Sequence, residues 1–229
     1  PDYAEAWYNM GLMQLRRDNS AEALTAFEQA IALKPDYAQA WFNMGVLRSR
    51  QNNNEGAIEA YQKALAIRPE YTEASLNLAV RYAKVGRSED AIRLYKTVVS
   101  KDPTYVPAWL NLGVAYHDKN NGEAAELAFR TVIQLEPESS VKARRYLARV
   151  LMRRKDYDEA LLVLREAIDR APSTIGLRTD LVKTLQAAGR EQEAQQESAK
   201  VQRLKENRDG SIDDVEDEPA ITLPAELVV

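Results

Sequence analysis

His117 is the only imidazole in the sequence, and there is no cysteine at all. Histidine serves as proton shuttle, metal ligand or catalytic base, and each role needs partners. Without a second His or any Cys, a histidine-based metal site has no ligand set, and nothing gathers a Ser-His-Asp constellation around residue 117. Disulfides, thiolate chemistry and iron–sulfur ligation are excluded outright. The acidic run IDDVEDE, residues 212–218, lacks the alternating Asp/Asn and central Gly of a calcium loop. Gly122 and Gly210 belong to no phosphate-cradling pattern. The expectation is therefore no enzyme, no metal and no cofactor, with His117 either a partly exposed surface residue or a ligand contact.

The remaining chemistry is ionic. VKARRYLARVLMRRK, residues 141–155, holds seven basic residues and no acid. Helical spacing puts Lys142, Arg145, Arg149 and Arg153 along one face, where they either bind carboxylates and phosphates or form a solvated strip balanced by nearby acids. The net charge of −4 conceals a division: residues 207–229 carry seven acids against Arg208 alone, so the first 206 residues sum to +2. A body that neutral, with no aromatics interleaved in its basic run, suits an acidic peptide better than nucleic acid. No apolar run approaches the ~20 residues a membrane helix needs. The chain opens on Pro rather than Met, so compartment is left open and further repeats upstream are expected to be compatible with it.

The elements that position these groups repeat. Prolines fall at 1, 35, 69, 103, 137 and 172, and PDYAEAWYNMG returns as PDYAQAWFNMG one period later. Between prolines lie two segments with apolar residues at helical spacing, so each repeat reads as a helix pair. Trp41, Met44, Gly45 and Arg48 share one face of a first helix of roughly 14 residues, and Ala57, Tyr61 and Ala64 one face of a second. The intervening turns carry Asp18, Asn52, Gly86, Asn120 and Gly189 at one equivalent place, residue types that tolerate left-handed backbone; only Lys155 breaks the series. A lone pair cannot bury both its faces, so the copies are expected to stack. In the first repeat Tyr8, Leu12 and Leu15 add a second apolar stripe, which either packs between repeats or meets a ligand.

Trp7/Trp41/Trp109, Gly11/Gly45/Gly113, Ala at 23, 57, 91, 125, 160 and 194, the aromatics Phe27/Tyr61/Tyr95/Phe129 and the periodic prolines resemble the tetratricopeptide repeat family. The resemblance covers residues 1–206 as repeats 1–34, 35–68, 69–102, 103–136, 137–171 and 172–206, the last ending in a polar capping helix. Ser75, Arg144 and Arg178 depart from it at the Trp position. It implies an all-α, right-handed solenoid of antiparallel helix pairs whose first helices line a concave groove, in a protein-interaction scaffold that holds an extended or helical peptide.

Carried onto this chain, the resemblance places Tyr8, Phe42, Leu76 and Leu110 in one groove row, with Leu12, Val46, Val80 and Val114 in the next. Arg16, Arg50 and Lys84 lie beside them, and His117, Lys142, Arg145, Arg149 and Arg153 also face the groove. Asn9, Asn43, Asn77 and Asn111 would form a ladder to a peptide backbone, or bond only locally. The clamp that some relatives use for C-terminal carboxylates needs Lys and Asn where this chain has Tyr8 and Leu12, or Phe42 and Val46, so that specificity is not expected. The stretch 207–229 reads as an acidic, disordered tail that either has no folded role or occupies the groove. Alternatives to the scaffold reading are self-assembly, through the first repeat or the tail, and service as the recruiting arm of a larger enzyme.

Overall fold

The computed structural model describes residues 3–206, which form twelve α-helices joined by short turns. The stretch 207–229, read above as a groove occupant or a link between copies, lies outside the described residues, as do Pro1 and Asp2. The fold is all-α, of the α-solenoid class. It comprises two compact halves, described separately.

The first half, to Pro103, holds the pairs α1 (Tyr3–Arg16) and α2 (Ser20–Leu33), α3 (Ala38–Arg50) and α4 (Asn54–Ile67), and α5 (Thr72–Lys84) and α6 (Ser88–Lys101). The second, from Thr104, holds α7 (Val106–Asp118) and α8 (Gly122–Leu135), α9 (Val141–Arg154) and α10 (Tyr157–Arg170), and α11 (Ile175–Ala187) and α12 (Glu191–Glu206). Within each half a helix packs on its hairpin partner and on the start of the next pair.

The repeated letters explain the pairing. The alanines at 23, 57, 91, 125, 160 and 194 are all buried, as are the rings of Phe27, Tyr61, Tyr95 and Phe129. A Cβ added to Gly45 would sit 2.6 Å from the Tyr61 ring, and one on Gly113 2.6 Å from that of Phe129. Glycine is required there because the aromatic of the second helix lies directly on the backbone of the first, which outweighs glycine's poorer helix propensity. The residues before the prolines, Lys34, Arg68, Asp102, Glu136 and Ala171, leave the helix with φ between −128 and −137°. Those φ values, with ψ of 68–92°, lie outside the α region that a following proline disfavours, so these second helices stop on schedule.

All six hairpin turns contain a left-handed residue: Asp18, Asn52, Gly86, Asn120, Lys155 and Gly189. Lys155, the residue out of type, takes φ 68° all the same. A side chain other than Gly, Asn or Asp costs ~1–2 kcal/mol in that conformation. Lys155→Gly is therefore expected to raise stability by about 1 kcal/mol, read from the shift of the urea midpoint; an unchanged or lower midpoint contradicts the strain.

Two departures at the Trp position also find a physical account. Trp41 donates its indole N–H to the carbonyl of Pro35 at 2.9 Å, tying the first helix to the preceding turn. Arg178 donates Nε to the carbonyl of Pro172 at 3.0 Å, the same six-residue reach. Arg144 is buried, bonds Ser140 Oγ, and directs Nε to Glu166 at 3.4 Å.

Candidate interaction face

In the first half the proposed groove residues divide by depth. Tyr8, Phe42, Val46, Leu76 and Val80 are buried, Leu12 is half-buried, and Asn9, Arg16, Arg50 and Lys84 are exposed. The two aromatics of the row are not bare lining. The Phe42 ring lies 4.7 Å from Tyr71 and 5.8 Å from Tyr61, and the Tyr8 ring lies 4.8 Å from Tyr37 and 5.7 Å from Phe27. Tyr37 and Tyr71 were not among the expected site residues. Their signal was in plain view, since Tyr follows the repeat proline by two at 3, 37, 71 and 105.

Asn43 is buried and donates Nδ2–H to the Tyr8 hydroxyl at 3.1 Å, while its Oδ1 has no hydrogen-bond partner. Asn77 and Asn111, in the equivalent slots, are also buried. An amide oxygen without a partner away from water costs ~1–3 kcal/mol, and Asn43 carries that cost in the folded chain.

In the second half Leu110, Val114 and Lys142 are half-buried, whereas Asn111 and His117 are buried. The basic row is brought together as its spacing requires, and it spans from α7 to α11. Arg145 and Arg149 both donate Nε–H to Oδ2 of the buried Asp180, at 2.8 and 3.0 Å. Arg153 reaches the other way, donating to the carbonyl of His117 at 3.1 Å and to Asn120 Oδ1 at 3.0 Å. The Arg149 guanidinium lies 5.3 Å from the centre of the Tyr146 ring. The tip of Arg145 rests against Gly176, where any Cβ would displace it.

The same interval recurs within each half. Tyr8 meets Asn43 and Arg145 meets Asp180 across the same interval of 35 residues, each linking one first helix to the next. Arg145 stands in the row of Tyr8, Phe42, Leu76 and Leu110, and Asp180 in the Asn slot, so a hydroxyl–amide contact becomes an ion pair.

His117 packs its ring edge against Tyr146 at 5.5 Å and faces Asp118 Oδ1 from Nδ1 at 3.2 Å. Burial holds its pKa below the ordinary imidazole value; the Asp118 contact opposes this, and the charges of Arg153 and Arg149 reinforce it. Among the described residues no group of His, Asp and Glu could hold a metal, and no helix is long and apolar enough to cross a membrane.

The tetratricopeptide repeat model matches residues 8–72, 76–140 and 120–174. No curated protein matches the chain. Among solved structures, a tetratricopeptide repeat protein from Parabacteroides merdae is similar at 22% identity and TM-score 0.76, over 87% of this chain and 79% of that one. PilW, a type IV pilus biogenesis factor, is similar at 20% identity and TM-score 0.77, over 91% and 96%. YrrB, described as a TPR protein with an unusual peptide-binding site, is similar at 18% identity and TM-score 0.67, over 75% and 88%. The helix pairs, the glycine–aromatic contacts and a family match over more than half the sequence agree: this chain belongs to the tetratricopeptide repeat family, whose members are protein-interaction scaffolds.

Proposed function

We propose that the chain holds an extended or helical peptide on its first helices and carries out no turnover chemistry. The observation that carries this reading is Asn43, whose buried amide has spent its donor on Tyr8 and kept its acceptor. An amide in that state recognises a peptide bond without reading sequence. YrrB, a structural relative with a peptide-binding site, lends the reading support by analogy of fold.

Peptides selected from a random display library provide the test, with affinity read by fluorescence anisotropy. Asn43→Ala is expected to weaken binding about tenfold, the worth of one hydrogen bond. Asn9→Ala, exposed in the equivalent slot, controls for damage to the fold and should weaken the same peptides less. Unchanged affinity in Asn43→Ala contradicts the reading.

A second reading, self-association, is favoured by one feature: α1 exposes Tyr3, Met10 and Met13. Light scattering across a hundredfold concentration range separates the two, since a constant monomer mass removes self-association.

A further inference from the structure

Two cavities in the second half, of 460 and 370 Å³, share His117 and Arg153 in their walls. The larger adds Arg149, Asp180 and Lys183; the smaller adds Glu123 and Arg154. Their charges are unequally matched. Asp180 is already engaged by Arg145 and Arg149, and Arg154 by Glu126 and Asp156. Arg153 spends its hydrogen bonds on neutral acceptors, and among the described residues no carboxylate lies within ion-pair distance of Arg153 or Lys183. Between them sits His117, 8% exposed, with Nε2 buried and lacking any hydrogen-bond partner. A histidine whose Nδ1–H is directed at Asp118 presents a lone pair from Nε2 when neutral and a donor when protonated. The charges of Arg153 and Arg149 add to burial in disfavouring protonation, and an anion in the cleft would oppose them.

We propose that this cleft between α7, α9 and α11 is a carboxylate-binding site whose ligand is the acid-rich stretch Asp213–Glu218 of the same chain. The charges are complementary: that stretch has five acids and no base, on a body that is otherwise almost neutral. Reach is sufficient as well. Arg178 of α11 pairs with Glu197 of α12, so Glu206 lies ~13 Å beyond that pair along the hairpin, and Lys183 ~8 Å the other way. The seven residues from Glu206 to Asp213 span up to ~25 Å. The inference rests on the proposed function only in using the same face, and it assigns to that face an occupant which a partner must displace.

Because His117 is the only histidine, its imidazole resonances report on the cleft without ambiguity. The charged groups facing it are Asp118 on its own helix, Glu123 on α8, Arg149, Arg153 and Arg154 on α9, and Asp180 and Lys183 on α11. The His117 pKa is measured by NMR in the full chain and in a full chain with Asp213, Asp214, Glu216, Asp217 and Glu218 changed to Asn or Gln. The native chain is expected to titrate higher by about 0.5–1, and to keep that difference at about 0.15 M salt, where charges beyond ~8 Å are screened. A synthetic peptide of residues 207–229 added to the neutralised chain should restore the higher value. Equal pKa values, or a difference that disappears at that salt concentration, overturn the proposal. A rise in the His117 pKa on adding an unrelated acidic peptide, with no effect of neutralising the chain's own stretch, overturns it in favour of a separate ligand. Loss of this effect leaves the binding of library peptides untouched, so failure here is distinguishable from failure of the scaffold reading.

Discussion

Asp180→Ala is expected to lower stability by about 3 kcal/mol, toward the smaller end of what breaking a buried ion pair costs. Asp180 is buried and receives both Arg145 and Arg149, which join α9 to α11 through a single carboxylate oxygen. Its removal takes the anion away from two guanidinium groups that are themselves largely covered, with side chains 13 and 26% exposed. Asp180→Asn keeps an acceptor in place and should cost about half as much. Urea denaturation followed by circular dichroism measures both. A loss below about 0.5 kcal/mol for the alanine variant would mean that water replaces the carboxylate at this joint, as it does at exposed pairs. The same substitution removes the carboxylate that, among the described residues, lines the larger cavity beside Arg149, Arg153 and Lys183.

Arg178→Met is expected to cost a similar amount, about 3 kcal/mol, for a different reason. Arg178 performs two tasks: it makes the bond to the Pro172 carbonyl that Trp41 makes to Pro35, and it pairs with Glu197, which is 6% exposed on α12. Burial alone pushes the Glu197 carboxyl upward, but Lys200 and Arg178 together outweigh it and hold its pKa below the usual range. A carboxylate lowered on folding contributes stability that is fully present above its unfolded value, about 4.3, and is lost as pH falls through the folded one. The native protein should therefore lose more stability than Arg178→Met between pH 6 and pH 3, so the gap between them narrows on acidification. A gap that stays constant across that window would show that the Pro172 bond, rather than the ion pair, is what matters.

Much of the fold was legible because each repeated residue type has one physical task. Gly11, Gly45 and Gly113 admit a ring, the alanines at 23, 57, 91, 125, 160 and 194 let helices close up, and five pre-proline residues leave their helices at nearly the same φ; all of this is local and repeated. The site was less legible because it is made by contacts between repeats. Tyr8, Phe42 and Leu76 share a row, yet period alone does not reveal that Tyr37 and Tyr71 lie on the first two. Arg178 reads as a departure from Trp, and only its reach back to Pro172 shows that it keeps the tryptophan's hydrogen bond. Asp180 falls in the Asn slot of the sixth repeat, and only the contacts between repeats show that its carboxylate receives Arg145 and Arg149 of α9. The polar capping helix was readable from composition, but the pairing of its Glu197 with Arg178 depends on the register of the last hairpin.

Hydrogen exchange on the full chain with a library-selected peptide tests most directly where partners bind. New protection should gather on the first helices, α1, α3, α5, α7 and α9, with α2, α4, α6, α8 and α10 unchanged. A footprint on those second helices, with the first helices unaffected, would contradict binding on the first helices.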